Sequence, residues 1–207
     1  MFIIFYKKSH MLRKIWITIF FITLIWSGIK PHDYFTWFLE VVPALIGIII
    51  LFKTEKSFPL TRLVYILILV HSIILMIGGH YTYAEVPFFN TLKEMFDLSR
   101  NNYDKLGHFA QGFVPSMIAR EILIRKKLIN SKAWENYIII AICLSFSAFY
   151  ELIEWLVAIS SGESADDFLG TQGDIWDTQT DMALALFGAI IALVSLSKMH
   201  NKQLNTL

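Results

Sequence analysis

The sequence predicts an all-α fold, a polytopic membrane bundle of about six transmembrane helices with both termini in the cytoplasm. Three observations predict it. Of 207 residues, 56% are hydrophobic and 17% charged, with a mean hydropathy of +0.55. The apolar residues are gathered into blocks, each able at about 1.5 Å per residue to cross most of a roughly 30 Å hydrocarbon core. Lys and Arg crowd onto alternate ends of those blocks, as topology in a bilayer requires.

The blocks follow in order. The first, residues 12–29, has a basic start and reads "IWITIFFITLIWSGI". No small-residue cleavage site follows, so it is expected to stay as a helix. The second, 35–52, contains Glu40, which could sit at an interface or join a polar cluster. The third, 60–81, carries His71 and His80, expected to be hydrogen-bonded within or between helices. The fourth, fifth and sixth are 106–124, 137–160 and 181–197. The first and last are short for a span and call for thinning or snorkelling ends. With connections no longer than 82–105 and 161–180, residues 1–207 form one expected membrane domain.

Orientation rests on charge. If the N-terminus is cytoplasmic, the cytoplasmic ends hold Lys7, Lys8, Arg13, Lys14, Lys53, Lys56, Arg62, Arg120, Arg125, Lys126, Lys127, Lys132, Lys198 and Lys202. The other side holds only Lys30, Lys93, Arg100 and Lys105. Fourteen against four is the asymmetry of the positive-inside rule. Arg120 and Glu121 are expected to snorkel as a pair at the cytoplasmic end, and the basic run 125–127 to mark topology. A net charge of +1 gives no basic field for nucleic acid. The single cysteine, Cys143, excludes an intrachain disulfide and a multi-cysteine metal site, and reads as a small buried hydrophobe.

Against this apolar ground, acids stand out. From Ala133 to Leu196 there is no Lys, Arg or His, yet Glu135, Glu151, Glu154, Glu163, Asp166, Asp167, Asp174, Asp177 and Asp181 all fall there. Their spacing is helical. Asp104, His108, Gln111 and Pro115 are 4, 3 and 4 apart; Ser147, Glu151, Glu154 and Ala158 repeat that pattern; Asp177, Asp181, Ala185 and Gly188 run 4, 4 and 3. Each set shares one helix face. Ala192 and Ser195 extend the last into a small-residue seam suited to close helix packing. Given the orientation, the stripes meet in the outer half of the membrane. Gln172, Asp174, Gln179 and Trp155 are placed with Gln111 around the pocket they form. Trp155 is also counted, with Trp176, Phe168 and Tyr103, in the interfacial aromatic belt. Intramembrane acids cost roughly 2.5–3.5 kcal/mol each on insertion scales, so they are paired, hydrated or functional. Only His108, with Lys105 or Arg100, offers them a cation here.

The stretches "NNYDKLGHFAQGFVPSMIAREILIR", "SAFYELIEWLVA" and "FLGTQGDIWDTQTDMALALFGA" resemble the YjdF-like family of bacterial inner-membrane proteins, a domain of unknown function. The likeness covers roughly residues 20–197. More distantly, the order D-K-x-x-H-F, E-x-x-E and an acidic position before a Gly-containing helix resembles the VanZ-like membrane proteins. The resemblance implies a multi-pass protein of the bacterial inner membrane and supplies no reaction.

The residues themselves support three readings. In the first, His108, Asp104, Glu151, Asp177 and Asp181 hold a divalent zinc, manganese or iron ion. Glu151, Glu154, His108 and Asp181 would then carry hydrolytic chemistry on a lipid-linked or envelope substrate, with the turn 170–173 over it. In the second, Glu151, Glu154 and His108 relay protons in a coupled transporter beside the break at Pro115. In the third, the same groups bond three helices together in a structural or partner-binding subunit.

Overall fold

The computed structural model describes residues 2–161 and 172–207, with side chains from 11 to 160 and from 172 onward. Among these residues the chain forms seven helices and no strand: α1 (Phe2–Ser27), α2 (Tyr34–Thr54), α3 (Arg62–Tyr81), α4 (Pro87–Met95), α5 (Tyr103–Arg125), α6 (Lys132–Ser161) and α7 (Asp177–Leu204). Glu163, Asp166, Asp167, Phe168, Gly170 and Thr171 lie outside the described residues.

Local chemistry sets the helix ends. Asp33 caps α2, its Oδ1 accepting from the Thr36 amide at 2.7 Å, and Thr61 caps α3 through the Val64 amide at 3.4 Å. The bond from the Thr36 amide holds the Asp33 carboxyl below its ordinary value, outweighing the opposing effect of burial. Proline at the first position starts α4, a short helix inside a segment whose sequence shows only a connection.

Four helices, α2, α3, α6 and α7, are long and apolar enough to cross a membrane. Their outward faces are bare hydrocarbon, as at Ile49, Val70, Ile159 and Val194. This is a polytopic membrane bundle, and lipid is what covers such faces. Helix α5 differs because it is central. It packs against α3, α6 and α7, so it can carry Asp104, His108, Arg120 and Glu121, all buried.

The closest packing is between α5 and α7. A Cβ on Gly112 of α5 would overlap the Ala185 carbonyl of α7, and one on Gly188 of α7 would overlap the Phe109 carbonyl of α5. Ala185, Gly188, Ala189 and Ala192 are buried along this seam, which lets the two backbones touch. Ser195 is not part of it: exposed, it donates to its own helix at Ile191 O, 2.6 Å away. Elsewhere Phe20, Val41, Ala44, Ile48 and Met76 join α1, α2 and α3. Cys143 is buried with Ile139, Ala189 and Leu193.

At the end of the bundle away from the acidic stripes, Arg120 and Glu121 do not snorkel. Both are buried in a bonded cluster. Glu121 accepts from the Thr61 amide at 2.9 Å, the Thr61 hydroxyl at 2.7 Å, Arg125 Nη1 at 2.9 Å and His200 Nε2 at 3.0 Å. Arg120 donates to His200 Nδ1 at 2.9 Å and to Asn201 Oδ1 at 2.7 Å. His200 is thus a donor through one nitrogen and an acceptor through the other, and it pins α7 to α5, while Glu121 ties α5 to the start of α3.

Candidate functional site

The three stripes converge where α5 and α7 begin and α6 ends. Four residues separate Asp104 from His108, so one turn of α5 sets carboxylate beside imidazole: Asp104 Oδ1 lies 3.3 Å from His108 Nε2. Asp181 Oδ2, from α7, lies 3.8 Å from the same nitrogen. One ligand atom from each of Asp104, His108 and Asp181 falls within 4.8 Å of the other two. On the other edge of the ring, His108 Nδ1–H donates to Gln111 Oε1 at 3.2 Å, and Glu151 Oε1 of α6 stands 3.7 Å away. Both ring nitrogens of one histidine therefore face carboxylates, at separations mostly beyond a normal hydrogen bond.

Several buried atoms here lack a partner. Asp181, 2% exposed, has Oδ1 unbonded, as Glu151, 8% exposed, has Oε1. Ser147, on the same α6 stripe, is buried with its hydroxyl unbonded. Orphaned buried polar atoms are costly and call for an explanation such as a bound ion.

Asp177 and Asp174 lie apart from that centre, on Arg100. The buried Arg100 guanidinium bonds Asp177 Oδ1, reaches Asp104 Oδ2 at 3.3 Å and Asp174 Oδ2 at 3.5 Å. Burial lowers the Arg100 pKa, but the bonded Asp177 and the nearby Asp104 and Asp181 outweigh it and hold it above its ordinary value. Arg100 stands four residues before Asp104, just ahead of α5. Asp104 is the pivot, turning one oxygen to Arg100 and the other to His108.

The remaining expected pocket residues scatter. Gln172 is exposed on the surface side but functional as a strap: its amide accepts from Asn101 N and donates to Asn101 O, both at 2.9 Å. Asn101 in turn holds Val86 O at 3.1 Å and Asn90 Oδ1 at 2.7 Å. Gln179 is exposed, and Trp155, 56% exposed, turns away from the acids as a belt residue. Trp176 is exposed too. Tyr103 belongs to no belt; it is buried, donating to Ile74 O at 3.0 Å and stacking edge-on with Tyr83 and Phe89.

Beside the centre lies a cavity of about 530 Å³, lined at one end by Glu40, Tyr83, Asp104, His108, Gln111, Tyr150 and Glu154. Glu40 is buried here and accepts from the Tyr150 hydroxyl at 3.3 Å. His71 also lines it, with Nε2 buried and unbonded, whereas His80 donates from Nδ1 to Ser27 O at 2.9 Å. A volume in the range of about 300–1,000 Å³ is that of ligand pockets.

Fold and site together define a multi-pass membrane protein with a histidine–carboxylate centre buried between three helices. Residues 12–202 match the family described as "Predicted membrane protein (DUF2238)". The chain belongs to that family. It is 50% identical over 181 residues, 87% of each chain, to inner membrane protein YjdF of Escherichia coli (strain K12). No solved structure matches it. These findings place the protein in the bacterial inner membrane as a multi-pass protein. They support the YjdF-like resemblance and lend nothing to the VanZ-like one.

Proposed function

We propose that Asp104, His108 and Asp181 hold a divalent cation that activates water against a lipid-linked or envelope substrate at the outer face of the membrane. The geometry of the triad carries the reading. Ligands about 2.0–2.2 Å from one ion stand roughly 3.4 Å apart in a tetrahedron, and His108 Nε2 has its two carboxylate oxygens at 3.3 and 3.8 Å. Gln111 on Nδ1 fixes the tautomer that leaves the Nε2 lone pair for an ion, the usual support of a metal-bound histidine. Three protein ligands leave a position for water. Glu154, buried in the lining of the adjoining cavity, would serve as the general base for such a water, and Glu151, 3.7 Å from His108 Nδ1, would help hold the ring.

Zinc, manganese and iron all suit a nitrogen and two oxygens. The charge balance favours an ion as well: Glu40, Asp104, Glu151, Glu154, Asp177 and Asp181 are buried around Arg100 and His108. The Lys/Arg asymmetry supports placing this end of the bundle outside. Elemental analysis of purified protein, wild type beside Asp181→Asn and His108→Ala at matched helicity, tests the proposal. Near-stoichiometric metal in the wild type and loss in both variants is expected. No metal after incubation with zinc, manganese and iron salts would overturn it.

A second reading, proton-coupled transport, is favoured by one observation: both His108 nitrogens face carboxylates, as a proton shuttle needs. It predicts a pH-driven flux in liposomes by protein that holds no metal.

A further inference from the structure

The cavity beside the centre is amphipathic along its length. Its polar end holds Glu40, Asp104 and Glu154, all buried. From Pro115 onward its walls on α5 and α6 are apolar, through Ile118 and Ile122 opposite Ile142 and Phe146. Gln111 to Ile122 alone spans about 16 Å of α5 at about 1.5 Å per residue. Phe146 and Phe149 line the cavity and are 60% and 61% exposed, so this wall is also a lipid-facing surface of α6.

Helix α2 packs along α3, and α6 along α5 and α7. Among the described residues α2 and α6 share no packed length; the Tyr150–Glu40 bond bridges them at the polar end. The slot below that bridge therefore opens sideways into hydrocarbon, where an aqueous solute has no access and an acyl chain does.

We propose that this slot binds a single-chain amphiphile from the bilayer, with its chain along Ile118, Ile122 and Phe146 and an uncharged or cationic, hydrogen-bond-donating head at Glu40 and Glu154. The charge of the polar end selects the head. Three carboxyls line it, and buried like charge disfavours an anion. An ammonium or hydroxyl group brings donors to an end rich in acceptor oxygens. The inference names the substrate class of the proposed metal site, and rests on that reading for its chemistry, though not for binding.

The test uses the full chain, delipidated in detergent and stripped with a chelator, with hexadecylamine, hexadecanol and hexadecanoate as probes and native mass spectrometry as readout. The amine and the alcohol are expected to bind at least tenfold more tightly than the carboxylate. Ile118→Trp and Ile142→Trp, each filling the slot, should weaken both at least tenfold. Val194→Trp, on the exposed face of α7, should leave them unchanged. Equal binding by wild type and whichever slot-filling variants fold, or preference for the carboxylate, overturns the proposal. Because metal is removed beforehand, a chain that binds the amine but no metal keeps this inference and loses the metal reading. A chain that binds metal but none of the probes does the reverse.

Discussion

The bundle buries two clusters of acid and histidine, one at each end, and they are built differently. Around Glu121 every carboxylate oxygen is met by donors from Thr61, Arg125 and His200, on three separate elements. Around His108 the oxygens Asp181 Oδ1 and Glu151 Oε1 meet no donor, and these two carboxylates stand no nearer the ring nitrogens than 3.8 and 3.7 Å. A saturated cluster has no capacity left and serves as a clip. An unsaturated one carries a standing cost that a bound group relieves. Burial and residue type do not distinguish a site from a clip; the state of hydrogen bonding does.

The largest effect that would sharpen this contrast is expected at the clip. Glu121→Ala leaves His200 Nε2 and the Thr61 amide and hydroxyl without their acceptor and strips Arg125 of its carboxylate partner. It should destabilise the protein by about 3–5 kcal/mol, as broken buried pairs do. Thermal unfolding in detergent reads it. Next comes the seam that joins the two ends. Gly112→Ala drives a methyl into the Ala185 carbonyl and should cost about 1–3 kcal/mol, the usual penalty of overpacking, with loss of metal in parallel. A Gly112→Ala protein as stable as wild type would show that the helices are not held in backbone contact.

A smaller effect lies outside both clusters. Asp33→Ala removes the α2 cap at about 1 kcal/mol. The Asp33 carboxyl titrates lower in the folded chain than in the unfolded one. Its contribution is therefore complete above the unfolded value near about pH 4 and fades as pH falls through the lower folded value. A melting series from about pH 6 to about pH 2.5 should show wild type and Asp33→Ala converging only at the acid end. The smallest change in stability is expected at the site itself. Asp181→Asn breaks no short hydrogen bond and removes one charge from a cluster of buried acids. With both proteins stripped of metal it should therefore shift stability by less than about 1 kcal/mol, while abolishing the added stability that the proposed metal gives the wild type. A loss of several kcal/mol there would erase the distinction between site and clip.

Much of the site is legible in the sequence. The 4-3-4 spacing of Asp104, His108, Gln111 and Pro115 and of Ser147, Glu151, Glu154 and Ala158 states which residues share a face, because helical geometry is local. Which faces meet is not local. Nothing near Glu121 in sequence announces His200, 79 residues on, or Thr61, 60 residues back, so the acid reads as half of an interfacial pair. Tyr103 reads as a belt residue for the same reason, since its acceptor, Ile74 O, lies on another helix. The site's own cation, Arg100, can be suspected from its spacing to Asp104, but its bond to Asp177 needs α7 in place. Composition alone cannot show α4, a nine-residue helix with no buried residue, too short to stand out from a connection.

The contact between Gly112 and Ala185 bears on ion choice. Gly112 follows His108 by four residues and Ala185 follows Asp181 by four, so the point where α5 and α7 touch lies one turn from both proposed ligands. Main chain pressed on main chain has no side chain to yield, which makes the spacing of the two helices a fixed gauge. An ion in the proposed seat meets a cradle that cannot widen to follow its radius. Such a seat discriminates by size, admitting ions that bind at about 2.0–2.2 Å and disfavouring calcium, which asks for about 2.3–2.6 Å and about six or more oxygens.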